Sequence, residues 1–496
     1  DDGGCSCGLT SSLQAAREAE AVAATGSSGQ GHVFLDGVAG EDGRPACKCN
    51  TCFGGANCSL LTPNCTADAS SRRVPSSCNC WCSGNPMFLE PYWVRHGAAS
   101  AVVVSGWHRM SYRTTDGMFQ SIELEKQIRE LHRAVGNAVV DDKHLVFGAG
   151  STQLINVLVY ALSPDADYDA SPPARVVATV PYYRPYKSQT AMFDGPQYKW
   201  DGATAVWVNA TRNSTKSFIE FVTSPNNPDA LLHQPVLGGS AVIVDRAYYW
   251  PHFTHIPAPA DEDVMLFTMS KPSGHAGSRL GWALIRNEKV AKKAYQYVQN
   301  SIMGASRDTQ LRMLGIVKAI LTGQPPRAEW FVATGWNGLG RSQPVKSPVS
   351  ASFGNGIWSG FEPILRLTRA HGEEDIFAFG HDVMRSRWRR LNAVVSRSRR
   401  ISLQKIPPQF CTYFKRIRVP SPAYAWVKCE REENQDCHEA LLKANIITRS
   451  GVENEAGSRY TRVSLLKSDD DFDVLLERIT DLVNEENHEA PGSNPL

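Results

Sequence analysis

The chain of 496 residues is too long for one ordinary hydrophobic core, and usual domain sizes predict two or three folding units. Its 42% hydrophobic and 21% charged residues are typical of a globular protein and argue against wholesale disorder or a fibrous architecture. A formal net charge of +2 and the lack of a bilayer-length apolar run predict neither a nucleic-acid nor a membrane partner, so a small molecule is the expected substrate.

Residues 1–66 are rich in cysteine. Ten of the chain's 13 cysteines lie at or before Cys82, and five of them form a cluster: Cys47, Cys49, Cys52, Cys58 and Cys65. Glycine, asparagine and threonine surround the cluster, and no second half follows at zinc-site spacing. The cluster therefore predicts a small, loop-rich module closed by disulfides, with no metal. Oxidised cysteines in turn predict the secretory pathway, with the vacuole or the cell exterior as the destination.

Four N-x-S/T sequons fit a secreted protein. They are at Asn57, Asn64, Asn209 and Asn213. The first two lie within the cysteine cluster, where glycosylation is expected to be hindered. N-linked glycans are therefore expected at Asn209 or Asn213.

An α/β pattern begins after a linker or insertion at residues 67–87. Residues 121–135 place apolar side chains at helical spacing, residues 144–147 are strand-like, and residues 152–162 are again helical. Five further strand-like runs follow, at residues 176–180, 218–223, 241–245, 264–269 and 280–285. Strands that alternate with turns and crossovers predict an α/β sheet within one large domain, residues 88–321.

The rest of the chain is predicted to form a second, smaller unit. Residues 322–372 are rich in Gly, Pro, Ser and Trp and lack periodicity, which indicates an insertion. A smaller α/β domain is predicted at residues 373–485, and a disordered tail at residues 486–496. The elements predicted for the small domain are a helix at 376–396 and strands at 424–428 and 460–466.

Polar residues follow the strands of the large domain in a definite order. Asn227 lies in the turn Ser-Pro-Asn-Asn-Pro, and Asp245 ends the next strand with Tyr248 three residues further on. Lys271 ends a third strand, and Arg279 lies in the turn after it. Singly, Asp245 could cap a strand and Arg279 could form a surface ion pair. Together the residues favour one clustered site.

These residue types are those that a bound pyridoxal ring requires. Asp245 can keep the pyridine nitrogen protonated, and Asn227 and Tyr248 can donate to the phenolate oxygen. A lysine amine in a pocket can form a Schiff base with the aldehyde and later move the Cα proton of a substrate. The sequence therefore predicts dependence on pyridoxal 5′-phosphate (PLP), with Lys271 as the catalytic residue.

A phosphate site is predicted where a glycine turn opens a helix. Backbone N–H groups and hydroxyls at a helix N-terminus bind phosphate, and an arginine offers its oxygens a planar fork. Tyr183, in the turn after strand 176–180, is placed to stack on the ring. The predicted phosphate ligands are Gly150, Ser151, Thr152, Ser270 and Arg279.

With these motifs the chain resembles the plant alliinase family and its tryptophan aminotransferase-related members, which are fold-type-I PLP enzymes. The resemblance covers residues 13–320 and 372–485. Its other matching stretches are the cysteine cluster, SGWHRMSY at 105–112, YYWPH at 248–252 and SRYTR at 458–462.

The resemblance implies a homodimer of fold-type-I transferase architecture. The large domain would carry a mostly parallel seven-stranded sheet, and residues 1–66 would hold an N-terminal helix and an EGF-like module. The resemblance further implies that Tyr112 reaches the phosphate of the partner subunit and that Cys429 and Cys437 form a disulfide. It also implies that Arg462 binds the α-carboxylate of the substrate, although an arginine on a strand could instead pair with an acidic residue.

The module departs from the family pattern in one respect. Residues 25–32 lack the cysteine that begins the first EGF-like bridge. Cys5 or Cys7 could replace it, or Cys47 could be unpaired. The pairing of Cys78, Cys80 and Cys82 is equally open.

Three functions remain as hypotheses. The EGF-like module and the secretory signals favour a carbon–sulfur lyase that acts on S-substituted L-cysteine sulfoxides and gives a sulfenic acid, pyruvate and ammonia. An aminotransferase of L-tryptophan or another L-amino acid is the close alternative, because the cofactor residues are the same in both. The third hypothesis is a secreted binding protein whose PLP domain is inactive.

Overall fold

The structure is a computed structural model. It describes residues 31–35, 45–49, 52–62, 65–70, 86–100, 102, 110–114, 116–164, 172–209, 217–238, 240–323 and 374–488. Predictions for the following residues lie outside this description: the side chains of Cys5, Cys7, Cys47, Cys78, Cys80 and Cys82, the sequons at Asn64 and Asn213, and residues 324–372 and 489–496.

The described part of the N-terminal module consists of short strands. They are β1 (Gly31–Leu35), β2 (Pro45–Cys49), β3 (Phe53–Gly54), β4 (Leu60–Leu61) and β5 (Ala67–Asp68). β1 pairs antiparallel with β2, and β3 with β4. Disulfides join Cys49 to Cys58 and Cys52 to Cys65, which confirms the predicted disulfide module. Hairpins this short bury little apolar surface, so covalent bridges are needed to hold them together.

The large domain alternates strands with helices. Its strands are β6 (His144–Gly148), β7 (Ala174–Ala178), β8 (Tyr198–Ala203), β9 (Phe218–Thr223), β10 (Ala241–Asp245), β11 (Val264–Thr268) and β12 (Gly281–Ile285). Its helices are α1 (Glu90–Ser100), α2 (Ile122–Val135), α3 (Ser151–Leu162), α4 (Pro185–Met192), α5 (Glu288–Ile302) and α6 (Arg307–Thr322).

The seven strands of this domain form one sheet, in the order β6-β12-β11-β10-β9-β7-β8. Strand β12 is antiparallel to both of its neighbours, β6 and β11. The remaining pairs are parallel. The mostly parallel seven-stranded sheet is therefore confirmed. In such sheets the residues that follow the carboxyl ends of the parallel strands meet at one edge, where ligands bind.

The predicted helix at 121–135 shows how the sequence specifies these elements. The Ser121 side chain accepts a hydrogen bond from the backbone N–H of Leu124, and Gly136 ends the helix with a φ of 71°. Leu124, Ile128 and Leu131 recur at helical spacing and are buried. A hydroxyl cap, an apolar stripe and a left-handed glycine are the start, core face and stop signals of an amphipathic helix.

Helices cover both faces of the sheet, and the strands alternate accordingly. On β11, Leu266 packs into the core shared with α3 and α5, whereas Met265 and Phe267 pack into the core shared with α2 and α6. Because both faces are buried, the five residues of β11 are all apolar except the last, Thr268. The sheet thereby becomes a rigid base for the residues at its edge.

The smaller C-terminal α/β domain is also confirmed. Its strands are β13 (Ile401–Leu403), β14 (Gln409–Cys411), β15 (Arg416–Arg418), β16 (Tyr424–Cys429), β17 (Ile446–Ile447), β18 (Arg449–Ser450) and β19 (Tyr460–Ser464), and its helices are α7 (Ile376–Val395), α8 (Cys437–Lys443) and α9 (Asp469–His488). β13, β16, β19 and β18 form an antiparallel sheet in that order. The expected disulfide joins Cys429 to Cys437.

Two of the predicted borders differ from the structure. Strand β5 lies in the range predicted as a linker, yet it pairs with β17 of the small domain, and Lys467 contacts Asp68 at 2.8 Å. The tail predicted from residue 486 begins inside α9. Glu486 is buried there, and its carboxylate is satisfied by hydrogen bonds that it accepts from the Ser398 hydroxyl and the backbone N–H of Arg399. None of the helices in the described ranges has the length and apolarity needed to span a bilayer.

Candidate active site

A cavity of about 990 Å³ lies at the carboxyl-terminal edge of the large sheet. Nine of the predicted site residues line it together: Ser151, Thr152, Tyr183, Asn227, Asp245, Tyr248, Ser270, Lys271 and Arg279. They come from five segments at or just after the carboxyl ends of β6, β7, β9, β10 and β11. The sheet topology therefore assembles residues that are up to 128 positions apart in the chain.

One end of the cavity is positively charged. Helix α3 begins there at Ser151, and its N-cap residue, Gly150, has no side chain with which to cap the first turn. Arg279 lies in the left-handed region with a φ of 52°, and its Nη1 donates to the carbonyl of Ala276 at 3.0 Å. A Cβ on Gly150 would collide with Nη2 of Arg279. The free N–H groups of a helix and a guanidinium side by side form a site for an anion with several oxygens.

Close backbone contact holds this end in place. Gly281 at the start of β12 lies against the first turn of α3, and a Cβ on it would lie 2.6 Å from the carbonyl carbon of Gly150 and nearer still to the amide nitrogen of Ser151. Glycine is therefore required at 281 so that the helix end can approach the strand. The Thr268 hydroxyl, at the end of β11, donates to Ser270 Oγ at 3.0 Å and so fixes the hydroxyl of Ser270.

A buried carboxylate lies on the floor of the cavity. Asp245 is 5% exposed and accepts hydrogen bonds from Tyr186 Oη at 2.7 Å and from the backbone N–H of Ala247 at 2.9 Å. Burial raises the pKa of Asp245, while the bond from Tyr186 and the charge of Lys271 oppose that rise. Such a carboxyl group binds a proton more firmly than an exposed one.

Lys271 is the cavity's buried amine. Its side chain is 8% exposed, and its Nζ lies 5.3 Å from the centre of the Tyr248 ring. Burial lowers the pKa of Lys271, and the nearby charges of Arg462 and Arg279 lower it further. A lowered pKa increases the neutral fraction of the amine, which is the nucleophilic and proton-accepting form.

Two tyrosines from different domains meet beside Lys271. The Oη atoms of Tyr248 and Tyr424 lie 2.6 Å apart, so one hydroxyl donates to the other. The guanidinium of Arg462 lies over the Tyr424 ring, 4.1 Å from its centre. Burial raises the pKa of Tyr424, but the cations of Arg462 and Lys271 outweigh it and lower the pKa overall.

Arg462 is buried behind Asn227. Its Nη1 donates to Asn227 Oδ1 at 2.8 Å. Its Nε and Nη2 are buried without a hydrogen-bond partner in the described part of the chain. A buried guanidinium edge with no acceptor is costly, which indicates a site completed by a carboxylate or similar anion.

The remaining predicted residues do not line the cavity. Gly150 lies at its edge, as the residue before α3. Arg462 contacts the wall through Asn227. The side chain of Tyr112 is 71% exposed, and its predicted contact with a partner subunit stays a prediction.

Several residues in or beside the cavity were not found from the sequence, among them Tyr186, Gln189 and Tyr424. Tyr186 is hydrogen-bonded to Asp245, and Tyr424 to Tyr248. Gln189 lines the cavity, and its buried Oε1 has no hydrogen-bond partner among the described residues. Tyr186 and Gln189 lie three and six residues after Tyr183 on a short helix, which was a usable signal. Tyr424 lies on a strand of the other domain, and no local pattern indicates its position.

The residues present fit PLP. The cavity combines an anion site at one end, a buried carboxyl group, and a buried lysine amine beside two hydroxyls. A phosphate, a ring nitrogen, an aldehyde and a ring oxygen are the groups of PLP that such partners bind. Arg462 Nε and Nη2 are buried with no partner among the described residues, so they can bind a second carboxylate as a ligand.

Solved structures identify the fold. An aminotransferase from Staphylococcus aureus matches with a TM-score of 0.53 and 13% identity, covering 86% of this chain and 95% of that one. A multiple substrate aminotransferase from Thermococcus profundus matches with a TM-score of 0.55 and 10% identity, covering 86% and 93%. The fold is that of the fold-type-I PLP-dependent transferases.

Sequence comparison identifies the family. The family model Alliinase_C, described as allinase, matches residues 81–333 and 362–483, and the alliinase EGF-like domain model matches residues 10–65. The chain is 43% identical over 491 residues to an alliin lyase of Allium cepa var. aggregatum, covering 98% of this chain and 96% of that protein. It is 40% identical to tryptophan aminotransferase-related protein 4 of Arabidopsis thaliana, covering 97% and 91%.

The chain belongs to the alliinase family. It is therefore an enzyme of a PLP-dependent family that contains both lyases and aminotransferase-related proteins. The EGF-like match and the disulfides are those of a protein of the secretory pathway.

Proposed function

We propose that the protein is an alliinase-like, PLP-dependent carbon–sulfur lyase. Its substrates would be S-substituted L-cysteine sulfoxides, and its products a sulfenic acid, pyruvate and ammonia. The main support for this proposal is a cavity lined by Lys271, Asp245 and Asn227, with Arg462 bonded to Asn227. The chain is also 43% identical to an alliin lyase, over 98% of its length.

The cofactor and Lys271 have separate tasks. Bound PLP supplies an aldehyde that joins to an amine and a ring that withdraws electrons from the substrate's α-carbon. Lys271 would hold the cofactor, yield its place to the substrate amine, and then accept the Cα proton at Nζ. Its burial and lowered pKa suit both tasks, because each needs the neutral amine.

Asp245 would hold a proton against the ring nitrogen. Burial raises its pKa, and Tyr186 and the N–H of Ala247 fix its two oxygens in orientation. As a carboxylate beside the ring nitrogen, Asp245 would accept a hydrogen bond from its N–H and so stabilise the protonated, electron-withdrawing form of the ring. Asn227 and Tyr248 would donate to the ring oxygen.

The phosphate of the cofactor and the carboxylate of the substrate would bind to two different groups of residues. Ser151, Thr152, Ser270 and Arg279 line the positively charged end and would bind the phosphate. Arg462 would bind the α-carboxylate through Nε and Nη2, which have no other acceptor in the described chain. Two fixed anion sites leave the amino acid one orientation, with Cα toward Lys271.

One face of helix α4 would recognise the sulfoxide. Pro185, Ser188, Gln189 and Met192 recur at helical spacing and line the cavity. The hydroxyl and the amide can donate to the sulfoxide oxygen, and the proline and methionine can pack on an apolar substituent. Lys271 would take the Cα proton of a sulfoxide bound in this way, and the Cβ–S bonding pair would leave with sulfur as a sulfenate, which takes up a proton to become the sulfenic acid. The remaining aminoacrylate would react with water to give pyruvate and ammonia.

Tryptophan aminotransferase-related activity is the second candidate. The 40% identical relative of that name covers the chain almost as fully, and the cavity residues serve both chemistries. The alliin lyases, at 43% and 44% identity, and the match to the alliinase EGF-like model favour the lyase.

Assembly and location complete the proposal. We infer a homodimer in which the exposed Tyr112 approaches the partner's phosphate, glycans at Asn209 or Asn213, and a vacuolar or extracellular location.

Product analysis separates the two reactions. Purified protein with PLP is incubated with an S-alkyl-L-cysteine sulfoxide and no 2-oxoacid, and in parallel with L-tryptophan and a 2-oxoacid. The proposal expects pyruvate and ammonia in the first reaction. Aromatic oxoacid from the second reaction, with no pyruvate from the first, would overturn it. Lys271→Ala should lose the activity in either case.

A further inference from the structure

Tyr248 and Tyr424 form one hydrogen bond between their hydroxyl groups, and either hydroxyl could be the donor. Each tyrosine has one O–H to donate, and their Oη atoms lie 2.6 Å apart. If Tyr248 donates to Tyr424, Tyr248 has no proton left for another acceptor in the cavity. If Tyr424 donates to Tyr248, the proton of Tyr248 is free to point into the cavity that Tyr248 lines.

The groups around Tyr424 favour it as the donor of this hydrogen bond. Tyr424 is 1% exposed, and among the described residues the hydrogen-bond partner of its hydroxyl is Tyr248 Oη. The charged and titratable groups that face it are Arg462 on β19, Arg449 on β18, Lys271 after β11 and Tyr248 after β10. Three of these four are cations and they lower the pKa of Tyr424, whereas burial raises the pKa of Tyr248. The Tyr424 hydroxyl is therefore the better proton donor of the two.

The geometry of strand pairing fixes the Tyr424 ring. Trp426 pairs with Arg462 across β16 and β19, which places Tyr424 on the same face as Arg462 and diagonal to it. The guanidinium lies 4.1 Å from the ring centre, a cation–π contact in a buried site. The Tyr424 hydroxyl is thus held toward Tyr248 by the small domain.

We infer that Tyr424 is a positioning residue that donates its proton to Tyr248 and so directs the Tyr248 hydroxyl toward the ring oxygen of the cofactor. This inference rests on the proposed function, in which Tyr248 donates to that oxygen. Hydrogen bonds in a chain strengthen one another, so the bond from Tyr424 also makes Tyr248 a stronger donor.

The test is a spectroscopic pH titration of the bound cofactor's visible absorption in four proteins: wild type, Tyr424→Phe, Tyr248→Phe and the double variant. A donor to the ring oxygen stabilises the deprotonated chromophore, because that form carries more negative charge on the oxygen. Tyr424→Phe keeps the ring over Arg462 and removes only the hydroxyl. We expect it to raise the pKa of the chromophore by less than Tyr248→Phe does, and to have no further effect once Tyr248 is phenylalanine.

The direction of the shift decides the inference. If Tyr248 instead donates to Tyr424, Tyr424→Phe would release that proton to the cofactor and lower the pKa of the chromophore. A lowered or unchanged pKa would therefore overturn the inference, and a wild type without a visible cofactor band would overturn the proposed function itself. Tyr424→Met, which also lacks the hydroxyl, replaces the phenylalanine variant if that does not fold.

Kinetics add a second readout. With a turnover assay, Tyr424→Phe should lower kcat by about tenfold with KM nearly unchanged, because the loss of one buried hydrogen bond affects the reacting complex and not carboxylate binding. Tyr424→Met should also raise KM, because it removes the ring beneath Arg462. Equal changes in kcat and KM for both variants would indicate a merely structural role.

Discussion

Arg462 of the small domain donates to Asn227 of the large domain at 2.8 Å, and this bond joins the two domains at the cavity. The rest of the guanidinium edge, Nε and Nη2, has no acceptor among the described residues. The same arginine therefore links the two domains and has a guanidinium edge left for a ligand carboxylate.

Replacing Arg462 by lysine should weaken substrate binding selectively. A lysine keeps the charge but cannot form the planar, two-pronged bond, so about 2 kcal/mol of binding should be lost, a roughly 30-fold rise in KM. Steady-state kinetics with a cysteine sulfoxide measure this. Arg416→Lys, at an exposed arginine of β15, is the matched control. An unchanged KM for Arg462→Lys would show that the carboxylate binds elsewhere.

Gly281→Ala should disturb the anion site. The new methyl group would press on the backbone of Gly150 and Ser151 and displace the first turn of α3. Forcing a methyl group into such a contact costs about 1 to 3 kcal/mol, so the apoprotein should be destabilised and its affinity for PLP lowered. Chemical denaturation and a PLP titration measure the two effects. Gly238→Ala, where a Cβ meets nothing within 4 Å, should leave both unchanged.

Gln189→Leu should change substrate preference and leave cofactor binding intact. The substitution keeps the side-chain volume but removes the amide proposed to donate to the sulfoxide oxygen, a loss of about 1 kcal/mol. We expect kcat/KM for a cysteine sulfoxide to fall roughly fivefold relative to the corresponding thioether. Gln127→Leu on helix α2, away from the cavity, is the control. An equal loss for sulfoxide and thioether would argue against this role.

Acid should destabilise the protein through His132. Its Nδ1 bonds Asn137 Oδ1 at 2.8 Å and its Nε2 accepts from Trp282 at 3.0 Å, so protonation would set two N–H donors against each other. Burial lowers the pKa of His132 from 6.5 to about 4. Because the folded-state pKa is depressed, the stability from neutral His132 is complete above pH 6.5 and is lost as the pH falls toward 4, a change of about 3 kcal/mol.

Urea unfolding at several pH values tests this prediction. His252, whose pKa burial lowers to about 3, should add to the same loss. His132→Gln should be less stable than the wild type at pH 7.5 but lose less stability on acidification. Substitution of the exposed His144 controls for the loss of a histidine side chain. An equal loss on acidification in His132→Gln and wild type would contradict the account.

Local pattern was sufficient for many elements and failed for others. Periodicity predicted α2 within one residue and β9 and β10 without error, because buried elements carry continuous apolar signals. Strand β8 has no such signal, since it is a half-buried edge strand with the sequence YKWDGA. Helix α4 was missed because it is short and only weakly amphipathic.

The same limit applies to the site. Lys271, Asp245 and Arg279 follow strands of one sheet, so their order in the sequence predicted that they would meet. Tyr424 and Arg462 reach the site only because the small domain packs against the large one. For Arg462 the family resemblance made up for this, and for Tyr424 nothing in the sequence did.

Peptide mapping identifies the lysine that holds PLP, which we expect to be Lys271. Protein purified with PLP is reduced with borohydride, digested, and analysed by mass spectrometry. The visible band should be lost and a pyridoxyl group should be found on the peptide that contains Lys271, with none in Lys271→Ala. A pyridoxyl group on another lysine, or no stable label in the wild type, would contradict this assignment.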